Sequence, residues 1–262
     1  MAIKGAILGD IIGSQYEFRK PFDPESCELF TENCTFTDDT VMSLSLKKAI
    51  DQGLDYAKTM REIGRLYPNC GYGGKFIYWI QNDGAKAYNS FGNGSAMRVS
   101  YVADFYEELE DVKKYAKASA EVSHNHPEGI KGAVVTAACI WMAKHGRDKE
   151  DIYNYVLEQY PSREYKYSIE KSVDDLADNY KWDVTCMGSV PVAMRCFYES
   201  TDFESFMRLL FRLNCDMDTL GAIGGGVAEE YYHGFVFDAD RKIKKYLVAR
   251  LRGILYGSES DN

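Results

Sequence analysis

The chain has 262 residues, of which 45% are hydrophobic and 27% are charged, as expected of a soluble globular protein that buries a sizeable core. Its formal net charge of −9 at pH 7 excludes a generally basic surface for nucleic acid or anionic membrane, although it allows a local phosphate pocket. No apolar stretch approaches the ~20 residues of a membrane span, and Asp10 interrupts the N-terminal apolar run, which is unlike a signal peptide. The seven cysteines form no CxxC pair, which predicts reduced thiols and a cytoplasmic location.

The first predicted helix carries a stripe of glycines. Gly5, Gly9 and Gly13 recur every four residues, and a second glycine-rich segment follows at 221–226. Each glycine inside a helix costs about 1 kcal/mol relative to alanine. We therefore expect both segments to mark a close approach, either of two helix backbones or of a backbone and a ligand.

The next predicted helix begins in the sequence FTDDTVMSL, residues 36–44, and continues with apolar residues on one helical face. Two adjacent aspartates, Asp38 and Asp39, lie at its start beside Thr37. Aspartate and threonine are common N-caps, and a carboxylate in the first turn gains about 0.3–1 kcal/mol from the helix dipole. Capping alone, however, requires only one of these side chains.

Two glycine-rich turns follow in the middle of the chain. GYGGKF occupies residues 71–76, and FGNGSAMRVS, residues 91–100, places a GNGS turn before a helical stretch. Backbone N–H groups at such a turn can cradle a phosphate, although most turns of this kind bind nothing. His124 and His126 come next and could contact phosphate or sugar.

The remaining elements are also mostly helical. Residues 131–146 predict a buried helix that ends at Gly146, and residues 148–160 and 202–213 predict amphipathic surface helices. Two short segments, 163–170 and 235–237, are the best strand candidates. With no linker or repeat, the sequence predicts one all-α domain over residues 1–262 with a frayed C-terminus.

A second acidic segment lies at the start of the last strongly predicted helix. On a regular helix Asp216 and Asp218 would point roughly 200° apart, so they converge only if the backbone between them is not helical. Thr219 and the apolar pattern after it predict such a helix entry. Four carboxylates at two helix starts would suit one or two hard divalent cations such as Mg²⁺, which relieve the repulsion between buried acids. For either segment alone, capping is the competing interpretation.

As an ordered set these motifs resemble the ADP-ribosylglycohydrolase family, which includes the dinitrogenase-reductase-activating glycohydrolases. The matching segments span about residues 3–230 and are GAILGDIIGSQYEF, FTDDTVMSL, GNGSAMRVS, SHNHPEGIKGA, SVPVAM and DMDTLGAIGGGVA. The resemblance implies a compact, orthogonal, all-α multi-helix bundle with two Mg²⁺ ions in a central cleft and Mn²⁺ as a possible substitute. The implied metal ligands are Thr37, Asp38, Asp39, Asp216, Asp218 and Thr219.

The resemblance also implies roles around the metals. Glu17 matches an acidic residue beside the metals, and it is the candidate acid/base, with metal-bound Asp39 and Asp218 as the alternatives. Asp10 could share the face of Glu17 or serve only as support. The residues that match the diphosphate-binding loop and its neighbouring histidine are Gly92, Asn93, Gly94, Ser95 and His124.

The implied reaction is hydrolysis of the bond between ADP-ribose and an acceptor on a protein or a small molecule; nucleic acid would enter only as a modified substrate. Two alternatives stay open: hydrolysis of O-acetyl-ADP-ribose or another nucleotide conjugate, and a non-catalytic ADP-ribose-binding or structural protein on the same fold. The acceptor and the oligomeric state are open too. Cys215 and Met217 depart from the family pattern, which predicts a bulkier wall around the distal ribose.

Overall fold

The structure is a computed structural model that describes residues 1–18, 20–21 and 23–257. Within these residues it contains fourteen α-helices, one 3₁₀ turn at Asn93–Ser95 and no β-strand, so the predicted all-α class is confirmed. The helices are α1 (Ala2–Ser14), α2 (Asp38–Gln52), α3 (Tyr56–Gly64), α4 (Gly74–Gln81), α5 (Ser100–Phe105), α6 (Leu109–Glu121), α7 (Pro127–Lys144), α8 (Lys149–Gln159), α9 (Val173–Asn179), α10 (Cys186–Glu199), α11 (Phe203–Phe211), α12 (Met217–Tyr232), α13 (Ala239–Tyr246) and α14 (Ala249–Tyr256).

The glycine stripe lies where α1 and α12 cross at backbone contact. A Cβ atom added at Gly9 would lie 2.0 Å from the carbonyl oxygen of Gly221, and one at Gly5 would lie 2.2 Å from that of Gly225. One added at Gly13 would lie 2.4 Å from the carbonyl oxygen of Met217. The two glycine segments therefore serve the approach of two helix backbones. Because the helices run antiparallel, the C-terminal end of α1 meets the N-terminal end of α12.

The predicted central helices are confirmed with small shifts at their ends. α7 is largely buried and is followed by Gly146, whose φ of +70° favours glycine after a helix end. α8 and α11 match the segments predicted at 148–160 and 202–213. None of the helices in the described residues combines the length and apolarity needed to cross a membrane. The predicted fraying of residues 258–262 lies outside the described part of the chain.

The two predicted strands are wrong. Residues 163–170 and 235–237 form turns and bends, and the amides of Glu164 and Tyr165 both donate to the carbonyl of Pro161 in a local turn. The aromatic residues that suggested strands pack as side chains instead: Tyr167 is 3% exposed, and Phe235 lies against Phe203 with ring centroids 4.8 Å apart. Aromatic spacing in these short segments reflects burial in the core and not sheet pairing.

Candidate active-site cleft

The two acidic segments lie at the starts of α2 and α12, as the sequence predicts. Thr37 is the N-cap of α2, and its Oγ1 accepts a hydrogen bond from the amide of Asp39 at 3.3 Å. Asp216 is the N-cap residue of α12, has a non-helical ψ of 84° and makes no side-chain cap bond. Capping therefore accounts for Thr37, but it does not account for the two aspartates that each segment supplies.

Acidic side chains from three parts of the chain converge at these helix starts. Carboxylate oxygens of Asp10, Asp39 and Asp218 lie within 4.8 Å of one another, and so do those of Glu17, Asp216 and Asp218. Asp218 belongs to both groups. We call Glu17, Asp38, Asp39, Asp216 and Asp218 the carboxylate wall. In the described residues, none of the five forms a salt bridge to a lysine or arginine.

Burial and mutual repulsion determine the protonation of this wall. They raise the pKa values of Asp38, Asp39 and Asp218 well above the ordinary range, and burial raises the pKa of Asp216. Burial, and then the charges of Asp216 and Asp10, raise the pKa of Glu17 to about 7. Without a counter-ion, the protonated forms of these groups are therefore favoured over the charged ones.

The donor set fits a hard divalent cation. Every ligand atom offered by the wall is an oxygen, the type that Mg²⁺ and Mn²⁺ prefer. The Oδ1 atom of Asp39 is buried and has no hydrogen-bond partner among the described residues, which leaves it available as a ligand. The hydroxyls of Thr37 and Thr219 lie beside this residue, with their Oγ1 atoms 3.1 and 3.3 Å from its Oδ2.

Asp10 holds the start of α2 onto α1. Its carboxylate accepts hydrogen bonds from the amide and hydroxyl of Thr37 at 3.0 and 2.8 Å, and from the amide of Thr40 at 3.1 Å. The Thr40 hydroxyl also donates to it. Burial still raises the pKa of Asp10 to about 6. Of the two roles that the sequence left open, these four bonds account for support.

The opposite side of the cleft is formed by Gly92, Asn93, Gly94 and His124, which we call the glycine wall. The side-chain amide of Asn93 joins the two walls, since its Nδ2 donates to Asp216 Oδ2 at 2.8 Å. The position of Ser95 differs from the expectation that its side chain belongs to the diphosphate-binding loop. The side chain is fully buried and donates to the carbonyl of Gly129 at 2.6 Å, away from the cleft. His124 does line the cleft, with Nε2 3.0 Å from the position of a Cβ added at Gly94.

The cleft between the walls has a volume of about 510 Å³. Sequence reasoning missed several of its lining residues, among them Phe18 and Trp182, whose rings stack 5.7 Å apart at the mouth. These residues occupy loops that carry no periodic pattern, so their place at the cleft is visible only in the folded structure. Met217 and Cys215 are at most 1% exposed and do not line the cleft, so the predicted bulkier ribose wall is wrong.

Comparisons with known proteins agree with this arrangement. The family model described as ADP-ribosylglycohydrolase matches residues 1–228. ADP-ribosylhydrolase ARH3 of Homo sapiens is 26% identical over 88% of this chain and 84% of its own length. ADP-ribosylarginine hydrolase Tri1 of Pseudomonas putida (strain GB-1) is 24% identical over 88% of this chain and 69% of its own.

A solved structure described as an ADP-ribosylglycohydrolase-related protein complex has a similar fold. The TM-score is 0.72 at 25% identity, over 98% of this chain and 96% of that one. The family model covers more than half of the chain, and the similar fold extends over nearly all of it. The chain therefore belongs to the ADP-ribosylglycohydrolase family of glycosidic-bond hydrolases.

Proposed function

We propose that this protein is a magnesium-dependent hydrolase that cleaves the glycosidic bond between ADP-ribose and an acceptor and releases ADP-ribose. One observation carries the proposal: a carboxylate wall without a basic partner among the described residues and a glycine wall face each other across one cleft. The first suits divalent cations and ribose hydroxyls, and the second suits a diphosphate. The acceptor is a protein side chain or a small molecule.

The carboxylate wall would hold two Mg²⁺ ions, with Mn²⁺ able to replace them. The proposed ligands are Thr37, Asp38, Asp39, Asp216, Asp218 and Thr219. Bound ions of this kind orient substrate hydroxyls, stabilise negative charge and activate water. The unpartnered Oδ1 of Asp39 and the absence of basic partners in the described part of the wall support this assignment.

Glu17 is the proposed acid/base. Its carboxyl lies at the cleft, half-buried, and its pKa of about 7 suits a group that gives and takes a proton at neutral pH. Departure of the acceptor builds positive charge on the ribose, and a carboxylate beside the anomeric carbon stabilises that charge. Asp39 and Asp218 are the alternative bases.

The glycine wall would bind the diphosphate. Gly92, Asn93 and Gly94 line the cleft, and a backbone without side chains allows a phosphate to approach closely. The Nε2 atom of His124 faces the same space. Binding energy at this remote group would hold the scissile bond next to Glu17.

A screen of ADP-ribosyl conjugates tests the proposal. The substrates are arginine-linked and serine-linked ADP-ribosyl peptides and O-acetyl-ADP-ribose, with release of ADP-ribose as the readout. We expect turnover of at least one glycosidic conjugate, loss with EDTA and recovery with Mg²⁺ or Mn²⁺. Turnover of the acetyl ester alone would identify an esterase. Binding of ADP-ribose without turnover of any conjugate would identify a sensor.

We also propose that residues 1–262 form one domain that works in the cytoplasm. All seven cysteines are free thiols in the structure, which supports a reducing compartment. Limited proteolysis that yields two stable fragments would contradict the single domain.

A further inference from the structure

Arg98 is a buried cation behind the glycine wall. Its side chain is 0% exposed and forms no salt bridge with any described carboxylate. Nη2 donates to the carbonyl of Ser119 at 2.7 Å and to Ser123 Oγ at 3.0 Å, whereas Nε and Nη1 have no hydrogen-bond partner among the residues that the structure describes. Burial lowers the pKa of Arg98 to about 10, so the side chain is still a cation at neutral pH. A buried charge without a counter-ion among the described residues is costly, so Arg98 is a candidate for a role beyond packing.

Ser123 connects this cation to His124. Arginine can only donate hydrogen bonds, so Ser123 Oγ is the acceptor of the bond from Arg98. The serine hydroxyl keeps its own proton, and Oγ lies 2.8 Å from His124 Nδ1. Nδ1 is the one hydrogen-bond acceptor that the described residues offer to this proton, so the arrangement that leaves the hydroxyl satisfied has the serine donating to an unprotonated Nδ1. The imidazole proton is then on Nε2, because the bond made by one ring nitrogen sets the state of the other.

His124 is kept neutral and in place. Its side chain is 4% exposed, and burial, followed by the charge of Arg98, lowers its pKa well below the ordinary value. The rings of Phe76 and Tyr88 hold it from two sides, with centroids 5.7 and 5.8 Å from that of His124. The lowered pKa and the packed rings therefore favour a neutral imidazole in one orientation.

The Nε2–H group points at the glycine wall. A Cβ atom would lie 3.0 Å from Nε2 if added at Gly94 and 3.7 Å away if added at Gly92. Within the described residues, the bond to Ser123 is the one hydrogen bond that the ring makes. The donor thus faces the cleft and lacks an acceptor supplied by the protein.

We propose that Arg98 and Ser123 are positioning residues that fix His124 as the Nε2–H tautomer, so that it donates a hydrogen bond to a phosphate oxygen of the bound diphosphate. The identity of that acceptor rests on the proposed function, whereas the tautomer does not. His124 contacts the ligand, and Arg98 and Ser123 act through it.

The tautomer is tested first, in the full-length protein without ligand. Nitrogen NMR on histidine-labelled protein distinguishes protonated from unprotonated ring nitrogens, and His124→Gln assigns the signals among the four histidines. We expect an unprotonated Nδ1 and a protonated Nε2 in the wild type and in Ser123→Thr, which keeps the hydroxyl. Ser123→Ala and Arg98→Lys should mix the two tautomers. A protonated Nδ1 in the wild type, or no change in Ser123→Ala, would overturn the proposal.

Calorimetry with ADP-ribose then tests the acceptor. Mixed tautomers leave only part of the population with a proton on Nε2, so Ser123→Ala should bind ADP-ribose about two- to fivefold more weakly. Ser123→Thr should bind as the wild type does, and Mn²⁺ affinity should be equal in all three proteins. Equal ADP-ribose affinity in Ser123→Ala, despite mixed tautomers, would refute the phosphate contact. Failure of the wild type to bind ADP-ribose would refute the proposed function and leave the NMR result standing.

Discussion

The two walls of the cleft differ in the sign of the buried charge that they carry. The carboxylate wall brings five acids together with no basic partner in the described residues, while the glycine wall has the unpaired cation Arg98 behind it. Asn93 touches both, because it belongs to the glycine turn and donates to Asp216. The buried charge therefore destabilises each wall. A bound cation would offset it at the carboxylate wall, and a bound anion would offset it at the glycine wall.

The difference also concerns how each wall holds its shape. Repulsion between acids opposes the carboxylate wall, and the α1–α12 backbone contact and the bonds of Asp10 hold it together. The glycine wall is held by neutral hydrogen bonds, such as that from Ser95 to Gly129, and by packed rings around His124. Replacing an acid by a neutral residue should therefore relieve repulsion in the carboxylate wall. Adding a methyl group should disturb the packing of the glycine wall.

The largest effect is expected for Asp218→Asn. Asp218 is the one acid shared by both oxygen groups, so its loss should reduce hydrolysis more than about a thousandfold and abolish Mn²⁺ binding. The metal-free variant should unfold at the same temperature or higher, since the change removes a buried carboxyl whose charged form the fold disfavours. Hydrolysis assays, calorimetry and thermal unfolding in EDTA measure these three quantities.

Asp178→Asn is the matched control for Asp218→Asn, because Asp178 is exposed on α9 and remote from both oxygen groups. It should change none of the three quantities. A lower unfolding temperature for Asp218→Asn with unchanged Mn²⁺ affinity would show that this aspartate serves the helix start alone.

Glu17→Gln should separate chemistry from metal binding within the same wall. Removal of an acid/base lowers the turnover rate by about a hundredfold or more, while Mn²⁺ affinity should change little. The exposed Glu25→Gln on the following turn is the control and should behave as the wild type does. If the Glu17 variant loses metal and activity in parallel, Glu17 is a ligand and the acid/base must be Asp39 or Asp218.

The pH dependence of the metal-free protein should expose the repulsion directly. Burial raises the pKa of Glu17 to about 7 and that of Asp10 to about 6, so the folded state binds protons more tightly than the unfolded chain does. The contribution of these two carboxyls to stability is then fully present below about pH 4, the pKa of an unfolded carboxyl, and is lost as pH rises to about 7.

We expect a drop in unfolding temperature on the order of 5 °C between pH 5 and pH 8 in EDTA. Excess Mg²⁺ should remove most of the drop, because the cation takes the place of the protons. Asp218→Asn should show a smaller drop in EDTA than the wild type does. Stability that rises with pH in EDTA would contradict raised pKa values in the carboxylate wall.

The sequence predicted the carboxylate wall better than the glycine wall, for a physical reason. Helix starts are local signals, so the convergence of Asp216 and Asp218 followed from a threonine, a turn and an apolar pattern. The spaced glycines likewise predicted a close approach at each segment, and the structure shows which of the two alternatives holds: the backbones of α1 and α12 meet. Roles for these residues in binding and catalysis stay predictions.

Contacts between segments that are distant along the chain could not be predicted from local sequence patterns. Arg98 reaches Ser119 and Ser123 only because the turn after the GNGS segment packs beneath the end of α6. The stacking of Phe18 on Trp182 is equally non-local. The wrong strands have a related cause, since alternating aromatics in 163–170 have no neighbouring strand to pair with.

The smallest effect is expected for Gly94→Ala, which tests whether the glycine wall can be altered without affecting the carboxylate wall. The added Cβ would lie 3.0 Å from His124 Nε2 and 3.3 Å from Cε1, so the methyl group would crowd the nitrogen that faces the cleft. The ring cannot retreat easily, since Ser123 and two aromatic rings hold it. We expect about tenfold weaker binding of ADP-ribose, the size of one charged hydrogen bond.

Gly84→Ala is the control for this change, because its added Cβ meets nothing closer than 3.4 Å. It should leave ADP-ribose binding unaltered. Mn²⁺ affinity should be normal in both variants, because a neutral methyl group on the glycine wall leaves the carboxylates in place. Loss of Mn²⁺ affinity in Gly94→Ala would mean that the bond from Asn93 to Asp216 makes the two walls one cooperative unit, and that neither can be altered alone.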